Sequence, residues 1–146
     1  MIGRARSALV AAVLALSVGC SGSSSGDVVC APCPPPVTVT VSGLHLLADG
    51  GWRLRACIDD LPCRDLRVPP PGATGAACGS IPCVRDGDTL RITLDGEPRS
   101  LAGLPVRVTA SRPGHAEVVR GTGAMTFTAG RKPCVCDRAD GAVALG

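Results

Sequence analysis

The sequence predicts an all-β, disulfide-rich fold, an antiparallel β-sandwich of seven to eight short strands, and three observations carry that expectation. Apolar and polar residues alternate with period two in segment after segment, while no stretch beyond the first twenty residues shows helical periodicity. Turn-forming clusters (ADGG, PPPGATG, DGD, DGEP, SRPGH, DRADG) separate those segments. Nine cysteines accompany a single Trp and a single Phe. An aromatic side chain normally buries about 150–250 Å², so a domain this poor in rings needs cross-links to offset a thin core.

The elements follow in order. VTVTVSG (37–43) sets Val37, Val39 and Val41 on one face and threonines on the other. WRLRACI (52–58) and CRDLRV (63–68) read as a hairpin closed by Cys57 opposite Cys63. That register places Arg55 against Asp65, Leu54 against Leu66 and Trp52 against Val68, each a favourable cross-strand partner. A slip of one residue would scramble every pair. Arg53 opposite Arg67 is the one poor match, tolerable only in solvent. TLRITL (89–94) aligns Leu90, Ile92 and Leu94, and LPVRVTA (104–110) aligns Val106 and Val108. HAEVVR (115–120), TGAMTFTA (122–129) and GAVAL (141–145) complete the set, with Pro69 to Asp88 expected as one long loop. The folded part, 37–146, has the size of one domain. Its pattern is immunoglobulin-like, and a small β-barrel would read similarly.

Eight cysteines belong to this domain and its approach: Cys30, Cys33, Cys57, Cys63, Cys78, Cys83, Cys134 and Cys136. Cys57 and Cys63 flank IDDLP, Cys78 and Cys83 flank GSIP, and each couple is expected to close over a short turn. Cys30 and Cys33 are then left to cross-link with Cys134 and Cys136, in an order the spacing leaves open. Cys30 to Cys33 (CAPC) also has the spacing of a thioredoxin-like redox pair, but such a pair works at a helix N-terminus. Here Pro34, Pro35 and Pro36 and then a strand follow, so no helix starts. Four thiolates in CxxC and CxC would also suit zinc; in an oxidising compartment disulfides take precedence.

The ninth cysteine stands apart. MIGRARSALVAAVLALSVGC has a basic head at Arg4 and Arg6 and an apolar run from Ala8 to Val18. That run is shorter than the roughly 20 residues a bilayer span requires, and it fits a cleaved export signal. Leu16-Ser17-Val18-Gly19-Cys20 resembles the lipobox of bacterial lipoproteins, with Leu one place upstream of its commonest position. The resemblance covers the first twenty residues. It implies a signal peptide over 1–19 and a mature chain beginning at Cys20, whose thiol carries diacylglycerol. It also implies a Ser/Gly/Pro-rich tether over 20–36 and residence at the extracytoplasmic face of the cell membrane. Two acyl chains on one residue supply the double signal that stable anchoring demands.

Without Arg4 and Arg6, 13 basic residues face 12 acidic ones, a net charge of +1. On that count no basic patch, and no nucleic-acid partner, is expected. His45 and His115 have no motif linking them to a nucleophile, G-x-S-x-G is absent, and Ser80 lies in a tight loop. Asp86-Gly87-Asp88 and Asp59-Asp60 offer oxygen ligands to calcium but are equally what turns demand. The expectation is therefore a non-catalytic, lipid-anchored envelope protein without cofactor or metal, its role interaction or structure. Two alternatives stand beside it: an envelope thiol-disulfide oxidoreductase using CAPC, and a protease inhibitor acting through the Cys78–Cys83 loop. The loop from Pro69 to Asp88, with Ser80-Ile81-Pro82 held at its tip, is the expected contact surface for an envelope partner.

Overall fold

In the computed structural model, residues 28–47, 50–71 and 78–146 are described. The strands are β1 (Val37–Ser42), β2 (Arg53–Ile58), β3 (Arg64–Arg67), β4 (Cys83–Asp86), β5 (Thr89–Leu94), β6 (Pro105–Ser111), β7 (Val118–Thr128) and β8 (Arg138–Ala144). They form one eight-stranded sheet in the order β3-β2-β6-β7-β8-β1-β5-β4. Two 3-10 turns, Leu44–Leu46 and Pro98–Leu101, are the sole helical elements among the described residues.

The β2/β3 hairpin adopts the expected register: Arg53 opposite Arg67, Leu54 opposite Leu66, Arg55 opposite Asp65. Three other expectations are corrected. The sheet is mixed, because β1 and β8 run parallel, from Val37 beside Ala139 to Ser42 beside Ala144. Alternation dictates which face a residue takes; it carries no information on strand direction, so a purely antiparallel sandwich did not have to follow. HAEVVR and TGAMTFTA are one eleven-residue strand, β7, and His115 to Glu117 precede it. The long loop is interrupted by β4, which pairs antiparallel with β5 through Cys83 opposite Ile92 and Asp86 opposite Thr89. Its seed is the bridge of Cys78 to Ile81 just upstream.

The length of β7 explains the curl. Val118 to Ala124 pair with β6, and Met125 to Thr128 pair with β8. One strand thus belongs to both halves of the sheet and carries it around the core. At the crossover, Gly121 and Gly123 lie so close to β8 that a Cβ on either would fall on the carbonyl oxygens of Ala144 and Ala142. Glycine is required by that approach. Beyond it, the Gly146 N–H donates to the Arg120 carbonyl at 3.0 Å, in the register set by Met125 and Gly141.

The inner face collects Val37, Val39 and Val41 from β1, Leu54 from β2, Leu90 and Ile92 from β5, Val106 from β6 and Met125 from β7, all at most 2% exposed. Trp52 joins them, while Phe127 stays half-buried under the Arg99 guanidinium, 5.7 Å from its ring centre. No polar or charged residue is buried among the described residues. The core is aliphatic and uniform, and its strands read as clean alternations for that reason. The two edges, β3 and β4, have four residues each and carry charged side chains, which discourages edge-to-edge pairing.

Candidate functional site: the bridged N-terminal root and two outer faces

The chain approaches β1 through an exposed proline run, and there the structure joins Cys30 to Cys134 and Cys33 to Cys136. The two bridges, with partners 104 and 103 residues apart, continue the parallel β1/β8 ladder, in which Thr38 faces Asp140 across 102 residues. They act as covalent rungs beyond the last backbone rungs. Cys30 and Cys33 are bonded outward and not to each other, so CAPC is not a vicinal couple, and all four sulfurs are taken up in disulfides. The Ala139 N–H donates to the Pro36 carbonyl at 2.8 Å, tying the two segments where rungs and strands meet.

The loop that brings Cys134 and Cys136 to this position is held by Asp137. Its carboxylate accepts the Gly130 N–H at 2.8 Å and the Arg99 Nε–H at 3.0 Å. These donors, the Gly130 amide first and the Arg99 side chain second, hold the carboxyl below its usual range against a smaller opposing effect of desolvation. Cys20, and with it the segment 1–27, lies outside the described residues.

The remaining candidate groups make contacts within the scaffold. Asp88 accepts the His45 backbone N–H at 2.6 Å, the His45 ring Nδ1 at 2.9 Å and the Gly43 N–H at 3.1 Å. Its pKa is lowered, chiefly by the His45 amide and then by the His45 side chain. Asp88 therefore caps the 3-10 turn at Leu44–Leu46, and Asp59 is paired with the Arg107 guanidinium at 2.6 Å. His115 stands beside Arg112, Nε2 to Nη2 3.1 Å. The Cys78–Cys83 disulfide closes the GSIP loop, but the loop does not display its whole tip. Ile81 is folded inward at 8% exposure, between buried Cys78 and Cys83, leaving Gly79, Ser80 and Pro82 outside. The expected presentation of Ser80-Ile81-Pro82 is corrected accordingly: Ile81 is worth more in the aliphatic core than in water. Residues 72–77 of the expected contact loop lie outside the described residues.

Two outer faces of the curled sheet remain. Over β7, β8, β1 and β5 runs a groove of about 900 Å³, walled by Pro34 and Pro82 and floored by Thr38, Thr40 and Thr93. Within it Asp140 is satisfied by the Thr38 hydroxyl at 2.6 Å and by Arg138 Nε at 3.2 Å. Arg91, also in the groove, has no ion-pair partner among the described residues.

The second face is basic. On β3, β2, β6 and β7 the outward positions fall into register as rows: Arg67, Arg53, Ser111 and Val118; then Asp65, Arg55, Thr109 and Arg120; then Arg107 and Thr122. Arg55 faces Asp65 at 3.8 Å and Arg107 holds Asp59, whereas Arg53, Arg67 and Arg120 have no ion-pair partner among the described residues. The overall charge, close to neutral, concealed this patch. The signal that would have found it is arginine at the polar phase of each alternation, in RLR (53–55), RDLR (64–67) and VRV (106–108). Compared with family models, curated proteins and solved structures, the chain gives no match.

Proposed function

We propose that the protein is a non-catalytic, lipid-anchored envelope protein, held by an acylated Cys20 at the extracytoplasmic face of the membrane and acting through the surfaces of its β domain. The observation that carries this reading is the double covalent root at Cys30–Cys134 and Cys33–Cys136, set immediately after a lipobox-like segment and a Ser/Gly run. A domain hung from a membrane by one end gains from having that end riveted to its last strand. Four disulfides favour an oxidising compartment. The two halves of the sheet sharing β7 favour an immunoglobulin-like arrangement with one parallel terminal pair.

The test is mass spectrometry of the N-terminal peptide of protein taken from its native membrane. A mature chain beginning at Cys20 with diacylglycerol on the thiol is expected, and Cys20→Ala is expected to leave the chain unacylated. A different N-terminus without fatty acid overturns the reading. Titration of thiols in the unfolded, unreduced chain separates this function from the oxidoreductase alternative: none supports the anchored reading, and two at Cys30 and Cys33 support redox chemistry.

A further inference from the structure

We propose that the arginine face of β3, β2, β6 and β7 is a docking surface for anionic phospholipid headgroups. The inference rests on the anchored reading, which places the domain beside a bilayer.

Its first support is an unfavourable pair left in place. Arg53 and Arg67 sit directly opposite each other, and like charges at that spacing destabilise a sheet. Neither has an ion-pair partner among the described residues, although Asp88, Asp95, Asp137 and Asp140, elsewhere on the domain, are each paired. An external layer of phosphates supplies the missing counter-charge. The second support is the distribution of charge. Five arginines (53, 55, 67, 107 and 120) against Asp59 and Asp65 give this face three net positive charges, more than the +1 of the mature chain. The rest of the molecule is therefore net negative by two, and an anionic plane orients the domain with this face toward it.

The third support concerns the form of the face. Between the arginines stand Ser111, Thr109 and Thr122, and no aromatic side chain, since Trp52 points inward and Phe127 lies on the inner phase of β7. Single-stranded nucleic acid finds no ring on which to stack its bases. A sheet surface with short polar residues between long guanidinium stems suits a plane of headgroups. Finally, the ten residues from Cys20 to Val29 reach at most about 36 Å. Attraction to an anionic surface acts within about 8 Å at physiological salt. A domain confined within that reach of the surface encounters it repeatedly, so the face acts as a second, weak contact reinforcing the first.

The experiment uses the mature chain, residues 20–146 produced without the apolar segment 1–19 and carrying Cys20→Ser, which no acyl transfer can modify, so the face is read independently of both anchor and signal. Binding is measured by cosedimentation with vesicles of phosphatidylcholine alone and of equal parts phosphatidylcholine and phosphatidylglycerol. Excess binding to the anionic vesicles, declining as salt is raised, is expected. Each arginine near such a surface multiplies affinity about fivefold. Arg53→Gln with Arg67→Gln should therefore cut that excess about thirtyfold, while Arg53→Lys with Arg67→Lys keeps it. Arg91→Gln with Arg138→Gln, which changes net charge equally on the other outer face, should leave it within a fewfold. Equal loss in both glutamine pairs overturns the assignment to this face. No anionic excess, or tighter binding to single-stranded DNA than to anionic vesicles at the same salt, overturns the proposal, whatever the acylation state of Cys20.

Discussion

The two bridges just ahead of β1 should contribute to stability in a strongly non-additive way, and the amount follows from their geometry. Either bridge alone closes a loop of just over a hundred residues, Cys30 and Cys134 being 104 apart and Cys33 and Cys136 103 apart. In the chain-entropy account, closing such a loop contributes about 4.7 kcal/mol. With one bridge formed, the other closes only the small ring of residues 30–33 and 134–136, seven in all. The same relation gives about 2.4 kcal/mol for that ring. Removing one bridge, as Cys30→Ser with Cys134→Ser or as Cys33→Ser with Cys136→Ser, should therefore cost about 2.4 kcal/mol, because the survivor still closes the long loop. Removing both should cost about 7 kcal/mol, well beyond twice the single effect. Urea unfolding of the parent, the two double variants and the quadruple variant measures this through midpoints and slopes. A quadruple variant that loses no more than the sum of the two double variants would refute the reasoning. It would mean the bridges act locally, on the native loop, and not on the unfolded chain.

Other outcomes follow from the interior and from the two capping carboxylates. Gly123→Ala should destabilise the domain by several kcal/mol or prevent folding, because the new methyl falls on the Ala142 carbonyl and backbone must move; an unchanged urea midpoint would contradict the crossover geometry. Leu54→Ala, at a fully buried position, should cost about 2–5 kcal/mol with no change in disulfide content. Asp88 and Asp137 both have folded pKa values below the ordinary 3.8. Their contribution is complete above that value and is lost as pH falls through the lower folded values, since the unfolded chain then binds more protons. Acid unfolding followed by circular dichroism should accordingly show a shallower acid limb in Asp88→Asn and Asp137→Asn than in the parent, and an unaltered limb would count against these contacts.

What was legible in the chain depended on whether local pattern sufficed. The β2/β3 hairpin could be set residue by residue because Cys57 and Cys63 define its end and period two does the rest. β1, β5 and β6 were visible for the same reason: their inner faces are uniformly aliphatic. β4 was hidden, being four residues long with only Cys83 directed to the core, amid proline and glycine. The parallel join of β1 to β8 was hidden for a different reason, since it depends on contacts a hundred residues apart and not on alternation. The same distance concealed which terminal cysteine meets which. The arginine face lay between these cases. Arg53 facing Arg67 was apparent as a mismatch within one hairpin, but Arg107 and Arg120 joined it only through β6 and β7. Net charge, a sum over the chain, averages such a patch away.

A pull exerted on the chain ahead of Cys30 while the far end is gripped would meet sulfur before it met any strand. The load passes from Cys30 into Cys134 and from Cys33 into Cys136, so the enclosed length of chain never feels the tension. Only residues 137–146, chiefly β8, are left to be drawn out. A break in the backbone anywhere inside the ring would likewise leave the two fragments joined through sulfur, so a single cut there would not separate them.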